Sequence, residues 1–199
     1  MLIEKELKEL ELSYYKMKLI SLICFLLILC SCTDLYQPKP KGYLSLIYPN
    51  STYRLFSNQN LPFSFEYNNF ANVEVISESG SKVLYSKMKA TIYLNYYKVN
   101  NNLDSLLNDA YKLPYKHISK AVEIPEKIFI NKEEKVYGTL FSVVGNAASQ
   151  FQFFLTDSTT NFLVGSLYFY SKPNYDSIYP AVKYIEKDVF HLFNTLKWK

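Results

Sequence analysis

Glycine, cysteine, histidine and arginine are all scarce in this chain. Its 199 residues hold five glycines, three cysteines, two histidines and a single arginine, Arg54. Each shortage narrows the chemistry. A zinc site needs three or four ligands from Cys, His, Asp and Glu, and neither His117 nor His191 has a partner at ligand spacing. A Ser–His–Asp centre would have to use one of the same two histidines, and no serine stands in a Gly-x-Ser-x-Gly elbow. Gly145-Asn146-Ala147-Ala148-Ser149-Gln150 lacks the lysine and glycines of a phosphate loop. The net charge is only +4, and the lysines are spread along the chain. Nucleic-acid readers cluster their basic residues on one face, so none is expected here. The longest apolar run, residues 19–29, falls short of the roughly 20 residues that span a bilayer. There is no internal repeat, no heptad pattern and no second apolar span. No cofactor, metal or small-molecule substrate is expected, and no catalytic residue is assigned.

That apolar run is nevertheless informative. Lys16 and Lys18 precede it, and Leu29-Cys30-Ser31-Cys32 closes it. A basic start, an apolar core and small residues at the cut describe a signal peptide, and the last four residues look like a bacterial lipobox. Cys32 is then the lipid-bearing first residue of the mature chain. Cys30 competes poorly, because bulky Leu29 stands where a small residue is expected. Processing removes Cys24 and Cys30, so no thiol remains for catalysis, metal binding or a disulfide. Residues 1–31 are read as signal peptide, with the true start at Met17. The glutamates at 4, 6, 9 and 11 outnumber the lysines of residues 1–16, where a signal peptide wants positive charge. An amphipathic helix is the competing reading for these first residues. Two or more acyl chains hold a protein stably where one is marginal, so the expected partner of Cys32 is membrane lipid, through N-terminal acyl chains such as palmitate.

Residues 32–42 carry Pro38-Lys39-Pro40-Lys41, a lipidated start followed by an extended tether. At roughly 3.1 Å per residue it reaches about 30 Å. Residues 43–199 suit one domain with a real core. Nineteen tyrosines and fourteen phenylalanines favour strands. The tyrosines serve as sheet faces with hydroxyls reaching water, or as an exposed aromatic surface for glycan or protein partners.

Strands are predicted at Tyr43–Tyr48, Phe63–Tyr67, Val73–Ile76 and Lys89–Tyr97, with a loop over Ser77–Ser81. Asn100-Asn101-Asn102 offers an N-cap, and Leu103, Leu106, Leu107 and Ala110 follow helical spacing over 102–113. Pro114 ends or kinks that helix. Four strands follow at roughly 120–130, Val136–Val144, Gln150–Thr156 and Phe162–Tyr170. Short turns between them imply antiparallel neighbours. A closing helix over 176–196 places Ile178, Val182, Ile185, Val189, Leu192, Phe193 and Leu196 on one stripe. The fold class is α+β, an antiparallel sheet packed with two helices, and the element order resembles the Mog1/PsbP-like sandwich. Gly145, Asn146, Ala147, Ala148 and Ser149 read as a hairpin turn, or as a partner surface where small residues admit a close backbone.

Several segments resemble the gliding-motility lipoprotein GldD family of Bacteroidetes. They are Pro38-Lys39-Pro40-Lys41-Gly42-Tyr43, Val99-Asn100-Asn101-Asn102-Leu103, Tyr115-Lys116-His117, Val136-Tyr137-Gly138-Thr139-Leu140, Gly145–Ser149, Thr156-Asp157-Ser158-Thr159, the run 165–178 and Thr195-Leu196-Lys197-Trp198-Lys199. The stretch 50–88 matches least. The resemblance implies an outer-membrane lipoprotein facing the periplasm, non-enzymatic, needed for gliding and type IX secretion, with other gliding and secretion lipoproteins as partners. Only the lipid-bearing cysteine carries over, onto Cys32. The alternative is a peptidoglycan- or glycan-binding envelope lipoprotein.

Overall fold

A computed structural model describes residues 12–23, 47–171 and 174–199. The chain divides into two units, Met1–Pro40 and Lys41–Lys199. In the first, residues 12–23 form an exposed helix, α1, that runs unbroken through Lys16 and Met17. No helix among the described residues is long and apolar enough to cross a membrane. The lipobox, Cys32 and the tether lie outside the described residues.

The second unit is α+β, and all its strand pairings are antiparallel. Its strands are β1 (Tyr53–Ser57), β2 (Phe63–Asn68), β3 (Asn72–Val75), β4 (Gly80–Tyr85), β5 (Ala90–Lys98), β6 (Ala121–Glu123), β7 (Glu126–Asn131), β8 (Val136–Ser142), β9 (Val144–Gly145), β10 (Ser149–Thr156), β11 (Asn161–Phe169) and β12 (Lys197–Trp198). The helices are α2 (Leu103–Tyr115) and α3 (Tyr175–Thr195). Seven strands form the main sheet in the order β3-β4-β5-β11-β10-β8-β7. A small sheet runs β1-β2-β12, and β6 pairs with β9.

Alternation places these strands. On β2, Phe63 and Phe65 are fully buried, while Ser64 and Glu66 point away from the core. Ile92 and Leu94 of β5 lie opposite Leu167 and Gly165 of β11 on one face of the main sheet. That face carries α3 through Val182, Ile185, Val189, Leu192 and Phe193, and the small sheet through Phe63 and Phe65, in one apolar cluster. The opposite face carries α2, whose Ala110, Leu103, Leu106 and Leu107 pack with Phe141, Phe154, Phe162 and Val164. Strand β10 is therefore buried along its whole length. Its sequence, Ser-Gln-Phe-Gln-Phe-Phe-Leu-Thr, loses alternation at Phe153-Phe154 because both of its faces meet a helix.

The structure departs from expectation at several places. Ile47 and Tyr48 belong to no strand, and the rest of Tyr43–Tyr48 lies outside the described residues. Strands β1 and β4 occupy stretches with no predicted strand, and Gly80 opens β4 instead of sitting within a loop. Predicted strand 120–130 splits at Ile124-Pro125 into β6 and β7, since proline has no N–H for a ladder. Asn102 precedes α2 but does not cap it by side chain. Its Oδ1 accepts from the N–H of Asn100 behind it. Pro114 neither ends nor visibly breaks α2, which closes one residue later with His117 N–H donating to the Pro114 carbonyl.

Candidate functional site

The loop from Gly145 to Ser149 is not a plain hairpin turn. Gly145 has φ +137°, and a Cβ there would lie 2.4 Å from the Lys120 carbonyl oxygen. Glycine is needed both for the backbone conformation and for the close approach of β6. That approach is a strand pairing, Ala121 opposite Gly145 and Glu123 opposite Val144. Asn146 then reaches across to α3, and its Oδ1 accepts from the Tyr175 N–H at 2.8 Å. The flanking Asn174 makes no side-chain cap. Asn146, 29 residues upstream, thus satisfies one of the orphan donors at this helix start. Gly145, Ala147 and Ser149 are buried, while Asn146 and Ala148 are exposed.

The loop forms one wall of a groove of about 420 Å³. Ala147 and Ala148 line it together with Tyr93, Tyr168 and Tyr170. Tyr93 meets Tyr168 edge-on, with ring centroids 6.0 Å apart, and its hydroxyl meets that of Tyr170. Gln150 also lines the groove. It is 1% exposed, its Nε2 donates to the Ala147 carbonyl at 2.8 Å, and its Oε1 has no hydrogen-bond partner among the described residues. Aromatic walls with a few polar groups suit an organic ligand. Tertiary structure therefore joins two features that the sequence kept apart, the small-residue loop and a share of the tyrosines.

A second polar centre has no signal in the sequence. Asp188 of α3 is 4% exposed. Its oxygens accept from Asn68 Nδ2 at 3.2 and 2.9 Å, Tyr85 at 3.0 Å, Tyr53 at 2.9 Å and Ser51 at 3.3 Å. Asn68 also donates to the Tyr184 hydroxyl at 2.9 Å. Burial, and then the charge and hydrogen bond of Asp188, push the Tyr85 hydroxyl well above its ordinary pKa. The donors come from β1 and the residues just before it, the end of β2 and the end of β4, so Asp188 ties α3 to the small sheet and the main sheet. Two residues away, Glu186 accepts from Lys127 of β7 at 2.7 Å and from Lys183 at 2.8 Å. Burial raises the Glu186 pKa, and the two lysines outweigh it, leaving the carboxyl below its ordinary value.

The two histidines serve separate surroundings. His191 Nε2 lies 2.7 Å from Glu66 Oε2, and its ring stacks on Tyr53 at 3.5 Å between centroids. His117 lies in the turn after α2, where burial and then Lys116 lower its pKa. Glu134, in the β7–β8 turn, pairs with Lys197 at 2.9 Å. Among the described residues no three His, Cys, Asp or Glu side chains gather as a metal site. Of the residues singled out by sequence, Ala147 and Ala148 line the groove, Gly145, Asn146 and Ser149 flank them in the loop, and Cys32 lies outside the described residues.

The family model described as "Gliding motility lipoprotein GldD" matches residues 33–198, which is the whole chain after Cys32 but for its last residue. No curated protein matches the chain.

Proposed function

Since this chain belongs to the gliding motility lipoprotein GldD family, a membrane-anchored lipoprotein of the cell envelope, we propose that it is a non-catalytic accessory of the gliding and type IX secretion machinery. In this reading Cys32 carries the acyl chains, the Pro/Lys tether follows, and the domain stands on the periplasmic face of the outer membrane. Other gliding and secretion lipoproteins are its partners. The observation that carries the reading is the position of the family match, which starts at the residue after Cys32 and takes in all three sheets, α2 and α3. Supporting it, the polar centres of the domain are occupied by its own construction. Asp188 and Glu186 hold α3 to the sheets, and His191 is engaged by Glu66 and Tyr53. The exposed Asn146 and Ala148 belong to the partner surface read from the sequence. The test is Cys32→Ala in a gliding strain. The variant should leave the membrane fraction and lose motility. A variant that stays membrane-bound and fully supports gliding refutes the anchor's role.

The groove favours one second reading, a glycan-binding lipoprotein. Three tyrosines in a concave site with the Gln150 oxygen, which has no partner among the described residues, suit a sugar ring, whose apolar face packs on aromatics while its hydroxyls donate. Soluble peptidoglycan fragments titrated against the chain, followed by tyrosine fluorescence, should then perturb the parent and not Tyr168→Ala. Equal responses from both remove the groove from consideration.

A further inference from the structure

The two outer edges of the main sheet are built differently. At one edge β3 is short, and Arg54 brings a charge to its start by donating to the Ala71 carbonyl just before it and to the Asn72 side chain. Glu74 adds a charge there, paired with Lys82 at 2.9 Å. These are the usual means of blunting an edge. At the other edge, β7 runs six residues, and among the described residues no strand lies beyond it. Ile128 is 77% exposed and Ile130 is 62% exposed.

The direction of the free backbone groups follows from register. Ser142 N–H donates to the Pro125 carbonyl at 3.0 Å, which makes Pro125 opposite Ser142 a bonded pair. Bonded and non-bonded pairs alternate along an antiparallel ladder. Lys127, Phe129 and Asn131 thus spend their N–H and C=O on Leu140, Gly138 and Val136 of β8. Glu126, Ile128 and Ile130 turn theirs outward. The same residues put their side chains on one face, so the open edge presents unpaired backbone and apolar side chains together. Only another extended strand matches that combination.

The sequence of the edge identifies which strand. Residues 126–132 read Glu-Lys-Ile-Phe-Ile-Asn-Lys. If two copies pair antiparallel about Phe129, Ile128 lies opposite Ile130 of the second copy, and Glu126, at the start of the strand, meets Lys132, the first residue of the turn that follows it. Both relations occur twice by symmetry. Centring the pair on Ile128 instead sets Glu126 against Ile130, and centring it on Ile130 sets Ile128 against Lys132. Only the register about Phe129 matches apolar with apolar and acid with base. We propose that this chain forms a two-fold dimer through β7, joining two seven-stranded sheets edge to edge. The interface is isologous, one strip meeting itself. The proposal stands on the edge geometry and is independent of the scaffold reading. A single strand pairing buries little area. Anchoring in a membrane compensates, because confinement raises the effective concentration of one copy for another.

The test uses the full chain reconstituted in lipid vesicles, with energy transfer between donor- and acceptor-labelled copies over a series of surface concentrations. The parent should show a monomer–dimer equilibrium. Glu126→Lys and Lys132→Glu each replace two opposite-charge pairs by like-charge pairs, and each should weaken dimerisation about tenfold. The double reversal should restore it, a recovery that general surface damage does not produce. Ile128→Pro deletes an outward N–H that takes no part in the β8 ladder, so dimerisation should fall while the urea midpoint stays close to the parent's. A chain that is monomeric at all concentrations overturns the proposal and leaves the edge to another protein's strand. A dimer indifferent to the reversals, or one that the double reversal fails to restore, overturns it as well.

Discussion

Removing the Asp188 carboxyl should be the most damaging single truncation of a polar side chain in the domain. Asp188→Ala deletes the common acceptor of Asn68, Tyr85, Tyr53 and Ser51. Tyr85 and Asn68 are each 1% exposed, so water cannot replace it for them. A buried donor left without an acceptor costs about 1–3 kcal/mol. Asn68 keeps the Tyr184 hydroxyl, and Tyr53 and Ser51 are only partly buried, so their shares fall at the low end. The total comes to about 3–5 kcal/mol, a large part of the stability of an ordinary domain. Tyr85→Phe removes the donor along with its need for an acceptor and should cost less, about 1–2 kcal/mol. In the double variant Tyr85 is no longer stranded, so the two losses should fall short of additivity by about 1 kcal/mol or more. Urea unfolding read by Trp198 fluorescence measures all three. Trp198 is the only tryptophan, and it lies on β12 against β2, with Nε1 donating to the Lys135 carbonyl at 3.2 Å. A loss below about 1 kcal/mol for Asp188→Ala, or strict additivity with Tyr85→Phe, would show that Asp188 does not hold the layers together.

The same centre makes alkaline stability testable. The folded Tyr85 pKa lies well above the ordinary 10.0, so its stabilisation is intact below pH 10 and is lost as pH climbs toward the folded value. Tyr85→Phe should flatten that decline. Glu186 works in the opposite direction. Its folded pKa lies below 4.5, so its contribution is present above that pH and disappears as pH falls through the folded value. The parent's acid limb should therefore be steeper than that of Glu186→Gln. Gly165→Ala should cost about 1–3 kcal/mol by thermal or urea unfolding. A Cβ there would lie 2.0 Å from the Phe153 ring, which packs against Phe193 at 4.9 Å. Asp157→Ala should cost about 1–2 kcal/mol and loosen the β10–β11 turn in amide exchange. Its Oδ1 accepts from the N–H groups of Thr159, Thr160 and Asn161 at 2.9, 2.7 and 2.8 Å. Unchanged stability there would deny the carboxyl its role in the turn.

Elements with a strong local period were legible from residues alone. The alternation of Phe63-Ser64-Phe65-Glu66-Tyr67 located β2, and the apolar stripe from Ile178 to Leu196 located α3. Pro125 was visible in the chain, but the apolar and charged residues around it ran on without a turn signal, so β6 and β7 were read as one strand. Strand β4 has no period that survives its opening Gly-Ser-Lys, and β12 is only two residues long. Both exist because a neighbouring strand offers them a ladder. At the candidate site, the small residues of Gly145–Ser149 stood out in sequence, whereas Asn146 as the partner of the α3 start did not, because its acceptor role is fixed by a residue 29 positions away.

Local pattern by itself pointed to the α+β class and to Cys32 as the anchor, and the resemblance of several short segments pointed to the family. Such signals lie within a few consecutive residues, where spacing and residue type suffice. Tertiary structure decided what lies side by side. It set Asp188 among donors 103 to 137 residues away. It brought Ala147 and Ala148 to a groove with Tyr93 and Tyr168, and among the described residues it left β7 open at one edge of the main sheet while placing charges at the other. Those outcomes depend on the order in which antiparallel strands pair. That order is fixed by burying both faces of one sheet at once, a condition on the whole chain that no short segment records.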